Sequence, residues 1–335
     1  MKERALNMEL LRIIAMIMVV IVHINFGAIG VPNTEEYQCL SSEALIQLTI
    51  EVFCIICTNI FVLISGWYGI RFSAKGLLKF IFQVFFWNFI AYLIFIFLGN
   101  NFSISHIKSL LCLDGKLWFV ISYIFLYVIS PILNAFIDST DKKNFKKVLL
   151  AVLVFQTLVG WISKIGYFVD GYSPMSFISL YLLARYVNRY PNKYFTLPLA
   201  IDLILYIGLC LIIIISVIVS AMCGETIEGL YSYISPFVIA ASLFFVLAFS
   251  KMPIHKAKHI ILYFSPSVFA VYLFHENPFI HKYFYAIINN IYNNYRIIEL
   301  IGCVLLLFIA VTTIDKLRIL IWKSITSSKN KVYQP

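Results

Sequence analysis

The sequence predicts an all-α, polytopic membrane protein, a bundle of about ten spanning helices with both termini cytoplasmic, on three observations. First, 61% of the 335 residues are hydrophobic and 13% charged, against roughly 45–50% and 25% in an ordinary soluble domain. Second, the apolar residues gather into runs that approach or exceed the roughly 18–20 residues needed to cross a bilayer core as a helix. Third, the basic residues between the runs fall mostly on one of the two alternating sides, the asymmetry that orients membrane helices.

The runs, in order, are 8–28, 45–66, 77–98, 117–136, 148–166, 172–190, 197–222, 231–250, 260–280 and 297–314. The first follows Lys2 and Arg4 and has the look of a secretory signal. No small-residue cleavage site follows Val31 and the run is long enough to span, so a retained helix is expected. The sixth run is the weakest, because Pro174, Arg185 and Arg189 leave a short apolar centre. With a cytoplasmic N-terminus, the 26 Lys and Arg residues divide as 20 in cytoplasmic segments, 5 in outer loops and 1, Arg12, inside the first helix. Removing the sixth segment would invert everything after it and destroy this bias, so it is retained. A single membrane domain over 1–335 is expected, with 315–335 forming a basic cytoplasmic tail along the anionic inner leaflet.

The formal net charge of +10 could suggest a nucleic-acid partner, but the distribution of the positive charges over inner loops points to membrane lipids instead. Seven cysteines are scattered along the chain, and Cys54 and Cys57 have the spacing of a redox or metal pair. No second ligand pair accompanies them within their helix, so packing residues are expected there, and no metal.

A charged side chain deep in the bilayer costs roughly 2.5–3.5 kcal/mol on insertion scales, which makes each one a candidate functional residue. Arg12, His23, Glu51 and His275 stand out. Arg12 and His23 lie in ELLRIIAMIMVVIVH. Eleven helical steps return His23 to within about 20° of the Arg12 face, roughly 16 Å along the axis. On this topology Glu51, Trp118, His275 and Glu276 all approach the outer level of His23, while Ser65, Gly66 and Arg71 approach the inner level of Arg12. Each also has a plain reading: Arg12 as a snorkelling cation, His23 as a packing residue, Trp118 as an aromatic-belt anchor.

These residues resemble the motifs of the membrane-bound acyltransferase-3 family, which includes bacterial polysaccharide O-acetyltransferases. That family carries an Arg and a His separated by ten residues in its first helix, as Arg12 and His23 are. NIFVLISGWYG from Asn59 to Gly69 is similar to its second-helix signature, LWFVISYIFLYVISPILN from Leu117 to Asn134 to its fourth, and VYLFHENPFI from Val271 to Ile280 to its late Tyr-Leu-x-His segment. Many members have Asp where this chain has Glu9. The resemblance implies an acyl-CoA donor, usually acetyl-CoA, and a hydroxyl acceptor on an envelope or capsular polysaccharide, with the protein in the bacterial cytoplasmic membrane.

On that basis Arg12, with Arg71 and the Ser65-Gly66 backbone, is expected to hold coenzyme A phosphates. His23 is expected to take the proton of the acceptor hydroxyl, with Glu51 or Glu276 orienting the imidazole. His275, Lys116 and Trp118 are candidate oxyanion donors. Acylation of His23 itself fits the same residues. A polysaccharide transporter or flippase is the rival reading, but the inverted repeats common in such folds are not evident. The sequence is silent on oligomeric state.

Overall fold

The computed structural model describes residues 5–225, 228–295 and 297–331. Lys2, Arg4 and Arg296, which entered the charge count, and the last four residues of the tail lie outside them. The described chain is 79% helix with no strand.

The chain opens with α1 (Leu6–Val22), which continues into a π-helical turn at His23–Ile29. Next comes the short α2 (Thr34–Gln38), started by a capping box in which Asn33 accepts from the Glu36 amide and Glu36 from that of Asn33. The second apolar run forms α3 (Ser42–Cys54) and α4 (Cys57–Tyr68), separated by a break at Ile55-Ile56. Ser73 caps α5 (Ala74–Phe97) by accepting from the Gly76 amide. A short α6 (His106–Leu110) precedes α7 (Trp118–Ser139), whose interior holds Pro131.

Asp141 caps α8 (Lys142–Phe155), which passes into a second π turn at Gln156–Ile162. Pro174 begins α9 (Pro174–Arg189), and α10 (Leu199–Met222) and α11 (Pro236–Lys251) follow. Then α12 (Lys258–Phe264) meets α13 (Val268–His275) through a 3-10 turn at Ser265–Ser267, where Pro266 interrupts the helix. The last helices are α14 (His281–Asn294) and α15 (Ile297–Lys331).

Eight of these stretches are long and apolar enough to cross a membrane. They correspond to eight of the ten apolar runs. The sixth run is α9, whose 16 residues reach about 24 Å at 1.5 Å each, short of the roughly 30 Å core. The ninth is the broken pair α12 and α13. The tenth does not stop at 314: α15 is continuous through Lys331, so residues 315–331 extend the last helix.

The chain divides into two compact units, Met1–Arg71 with Ser122–Ile261, and Phe72–Ile121 with Leu262–Pro335. In the first, the α3–α4 and α11 spans are 72% and 78% buried, against 44% for the α1 span and 28% for α10, so they form its centre. Alpha-9 is enclosed as well, which is how a 16-residue helix with two arginines is accommodated. Gly66 permits its approach to α4, because a Cβ there would sit 2.7 Å from the Tyr181 carbonyl oxygen. Lys251 closes the α10–α11 pair by reaching the fully buried Asp202 at 2.5 Å.

The second unit packs α5, α13 and α15 around a buried polar knot. Asp315 accepts from the Trp87 indole at 2.9 Å and from Nε and Nη2 of Arg318 at 2.9 and 2.6 Å. Such a pair is tolerable in a spanning helix because every charge has a partner of opposite sign. Leucines and isoleucines such as Leu305, Leu306 and Ile309 point outward on α15, as expected of a face bathed in lipid.

Candidate active site

In the first unit the Arg12 and His23 side chains belong to one continuous helical stretch, since α1 runs unbroken to Val22. The separation of roughly 16 Å therefore stands. At the lower-numbered end, Arg12 Nη1 lies 2.5 Å from Oε1 of Glu9, which is 4% exposed. This fixes the guanidinium by an i,i+3 contact with a buried carboxylate, where a snorkelling arginine would extend alone toward water.

The α4 C-terminus supplies the neighbouring groups. Ser65 Oγ donates to the Phe61 carbonyl at 2.9 Å and lies 3.2 Å from the Tyr123 hydroxyl. Its single hydrogen is therefore committed within the helix, and it meets a ligand as an acceptor. The open side of Gly66 is filled by α9, with the Ala184 Cβ also within 2.8 Å of an added Cβ. Gly66 thus acts through close packing of α9 on α4. The helix ends at Gly69, with φ +73, a conformation that glycine adopts without strain.

The following residues are held from both sides. The Ile70 amide donates to the Tyr181 hydroxyl at 3.0 Å, the Ile70 carbonyl accepts from Asn134 at 2.8 Å, and Tyr181 donates to Asn134 Oδ1 at 2.7 Å. This triangle fixes the backbone that leads to Arg71, whose side chain is exposed.

At the other end, half-buried His23 opens the π turn, a widened helical geometry that is common at functional positions. Two residues on, Asn25 Nδ2 donates to the Gln47 carbonyl at 2.9 Å and to Oε2 of Glu51 at 3.0 Å. Glu51 is 3% exposed, and Asn25 is the residue to which it bonds. The carboxylate therefore steadies the backbone just after His23 by way of Asn25.

The second unit carries the remaining candidates. His275 is fully buried at the end of α13, with Nδ1 2.6 Å from the Val271 carbonyl oxygen. A carbonyl only accepts, so Nδ1 bears the hydrogen and the neutral ring presents a lone pair on Nε2. That makes His275 a base or acceptor in its neutral form; it donates from Nε2 only as the imidazolium, which qualifies its expected role at an oxyanion. Glu276 Oε1 accepts from the Tyr285 hydroxyl at 2.8 Å. Burial and the carboxylate push that phenol well above its ordinary value, so Tyr285 remains the donor throughout the physiological range.

Asn277, wholly buried, locks the turn after Glu276 by donating to Asn88 Oδ1 at 2.8 Å and accepting from the Phe279 amide at 3.2 Å. Trp118 opens α7 half-buried, against the ring of Phe119. Lys116 is exposed in the preceding loop, its amide donating to Asp114.

Against these features, the family model for the acyltransferase domain called acyltransferase-3 matches residues 6–315. The chain belongs to the acyltransferase-3 family. No curated protein and no solved structure matches it. The match runs through both units and contains every candidate site residue named above. Membership makes the protein a multi-pass membrane acyltransferase.

Several residues were passed over in the sequence. Asn25, Asn277 and Asn134 are amides inside apolar runs, and the cost of burying an unsatisfied amide could have flagged them beside the charged residues. Tyr123, Tyr181 and Tyr285 gave no such signal, since tyrosine is common in any membrane protein and only tertiary contact distinguishes them.

Proposed function

We propose that this acyltransferase moves an acyl group, acetyl in the first instance, from cytoplasmic acyl-CoA to a hydroxyl of an envelope or capsular polysaccharide, working in a bacterial cytoplasmic membrane. The observation that carries the reading is the Arg12–His23 offset: a fixed guanidinium and an imidazole on one face of one helix, roughly 16 Å apart. An extended pantetheine arm has a comparable length, so a phosphate anchored at Arg12 sets the thioester near His23.

On this reading the Arg12 end faces the cytoplasm, consistent with the charge asymmetry of the loops. Arg12 binds the diphosphate by charge-assisted hydrogen bonds, with exposed Arg71 as a second cation. A ring nitrogen of His23 takes the acceptor's hydroxyl proton as the oxygen attacks the thioester carbonyl. The new C–O bond forms, the C–S bond breaks, and the coenzyme A thiolate leaves and recovers the proton from the imidazolium. Glu51 supports this step by holding Asn25, and with it the turn that begins at His23. His275 offers a second imidazole with a defined lone pair, and Glu276 a carboxylate held by Tyr285.

The test is to delete the gene in its host and complement with wild type or His23→Gln. The expected result is loss of an O-acyl NMR signal from the envelope polysaccharides, restored by wild type alone. Purified His23→Gln should bind coenzyme A normally and transfer at least about 10²-fold more slowly. Unaltered O-acylation together with lost surface polysaccharide would replace this reading with export.

A further inference from the structure

The first unit contains a cation that neither the family motifs nor the reading above uses. Arg185 lies on α9, one turn beyond Tyr181, and is half-buried. Its guanidinium rests against the end of α4: a Cβ added to Gly69 would lie 3.0 Å from Nη1 and 3.3 Å from Cζ. Its Nε is buried without a hydrogen-bond partner. Three other basic residues of the unit are ion-paired. Arg12 has Glu9, Lys251 has Asp202, and Arg189, one turn further along the same helix, has Asp138 at 2.8 Å. Among the described residues Arg185 has no such counter-ion and no hydrogen bond.

A guanidinium has five N–H donors in a fixed fork, and withdrawing it from water without an anion is costly. Here the surrounding structure is built around it regardless. Gly66 and Gly69 admit α9 to the end of α4, and Tyr181, from the same face of α9, holds Ile70. The absent partner is therefore an anion brought by a ligand, and a fork of this kind fits a phosphate monoester.

We propose that Arg185 binds the ribose 3′-phosphate of the acyl-CoA donor. This rests on the donor reading above and assigns one more contact within it. Coenzyme A carries two separate phosphate centres. The pantetheine arm leaves from the diphosphate, so an arm that runs from Arg12 to His23 places the diphosphate at Arg12. The 3′-phosphate then needs a cation of its own, on the part of the unit bordering Arg12. Arg185 satisfies both conditions: Tyr123 lies within electrostatic reach of both Arg12 and Tyr181, and Tyr181 precedes Arg185 by one turn.

The experiment compares coenzyme A with 3′-dephospho-coenzyme A as ligands of the purified full-length protein in nanodiscs, for wild type, Arg185→Gln and Arg185→Lys. Wild type should bind coenzyme A about 10–100-fold more tightly than the dephospho form, the usual range for a charged hydrogen-bonded contact. Arg185→Gln should bring coenzyme A down to the dephospho level and leave the dephospho affinity unchanged. Arg185→Lys, which retains charge without the fork, should fall between and serves if the Gln variant does not fold.

Equal affinity of wild type for the two ligands overturns the assignment while leaving the donor reading in place. So does an equal loss for both ligands in the Arg185→Gln variant. If folded wild type binds neither ligand, the donor reading itself falls and the assignment with it.

Discussion

Replacing Gly66 by alanine is the smallest change that should separate packing from chemistry in this protein. The new methyl would lie 2.7 Å from the Tyr181 carbonyl oxygen and 2.8 Å from the Ala184 Cβ. Carbon pairs are optimal at about 3.5–4.0 Å, so the Ala184 contact is short by roughly 1 Å. Neither neighbour can swing aside, one being backbone and the other a single methyl, so α4 and α9 must part. Overpacking of this kind costs about 1–3 kcal/mol, and the better helix propensity of alanine returns at most about 1 kcal/mol. The net expectation is a loss of about 1–2 kcal/mol. Because α9 carries both Tyr181 and Arg185, its displacement should also weaken coenzyme A binding more than it slows transfer at saturating donor. Gly208 in α10 is the control, since nothing lies within 4 Å of a Cβ there, and Gly208→Ala should be neutral or slightly stabilising. Thermal unfolding in one detergent, with donor titration of the survivors, decides the matter. Equal stability and equal donor affinity for the two variants would refute the close-packing argument.

Three further substitutions address the chemistry. Arg12→Lys keeps the charge but loses the planar fork, so coenzyme A affinity should fall about tenfold with insertion unchanged; an unaltered titration would confine Arg12 to its pairing with Glu9. Glu51→Gln leaves an amide that Asn25 can still meet but removes the ionisable carboxyl, so turnover should fall several-fold while donor affinity holds. Equal losses in both quantities would mark Glu51 as purely structural. Tyr285→Phe removes the donor to a half-buried carboxylate, a hydrogen bond worth about 1.5–3 kcal/mol when charged. Reduced turnover with normal coenzyme A binding is expected, and unchanged steady-state kinetics would show Glu276 to be a bystander.

The fold was legible where the signal was one of length and apolarity. Eight runs required nothing beyond that, and the structure returns them as spans. The runs around α9 and α13 were legible as apolar but not in form, because a short or broken helix at membrane depth is stable only if neighbouring protein covers its ends. Composition does not report such cover. The first-helix pair was equally plain, since both residues lie on one element and helical geometry alone relates them. The environment of that pair was not. That Glu51 bonds to Asn25, that Ser65 spends its hydrogen on Phe61, and that His275 donates Nδ1 to its own helix all depend on rotamers and helix contacts that spacing does not encode.

The accounting of charge around Arg12 shows why the first-helix motif under-describes a donor site. One guanidinium nitrogen is already engaged by Glu9 at 2.5 Å, and the pair together is close to neutral. The contact orients the fork and leaves several donors free, but it adds little net attraction for a ligand bearing a diphosphate and a monophosphate. Attraction must come from cations without internal partners. Arg71, exposed at the end of the segment fixed by Tyr181 and Asn134, and Arg185, packed on Gly69, are the two that the first unit places beside the α4 C-terminus. The division of labour that follows is physical: Arg12 supplies geometry, because its position along α1 sets the distance to His23, whereas Arg71 and Arg185 supply charge. Neutralising Arg71 or Arg185 should therefore flatten the salt dependence of donor binding, while Arg12→Lys should weaken donor affinity through the lost fork and leave that salt dependence nearly unchanged.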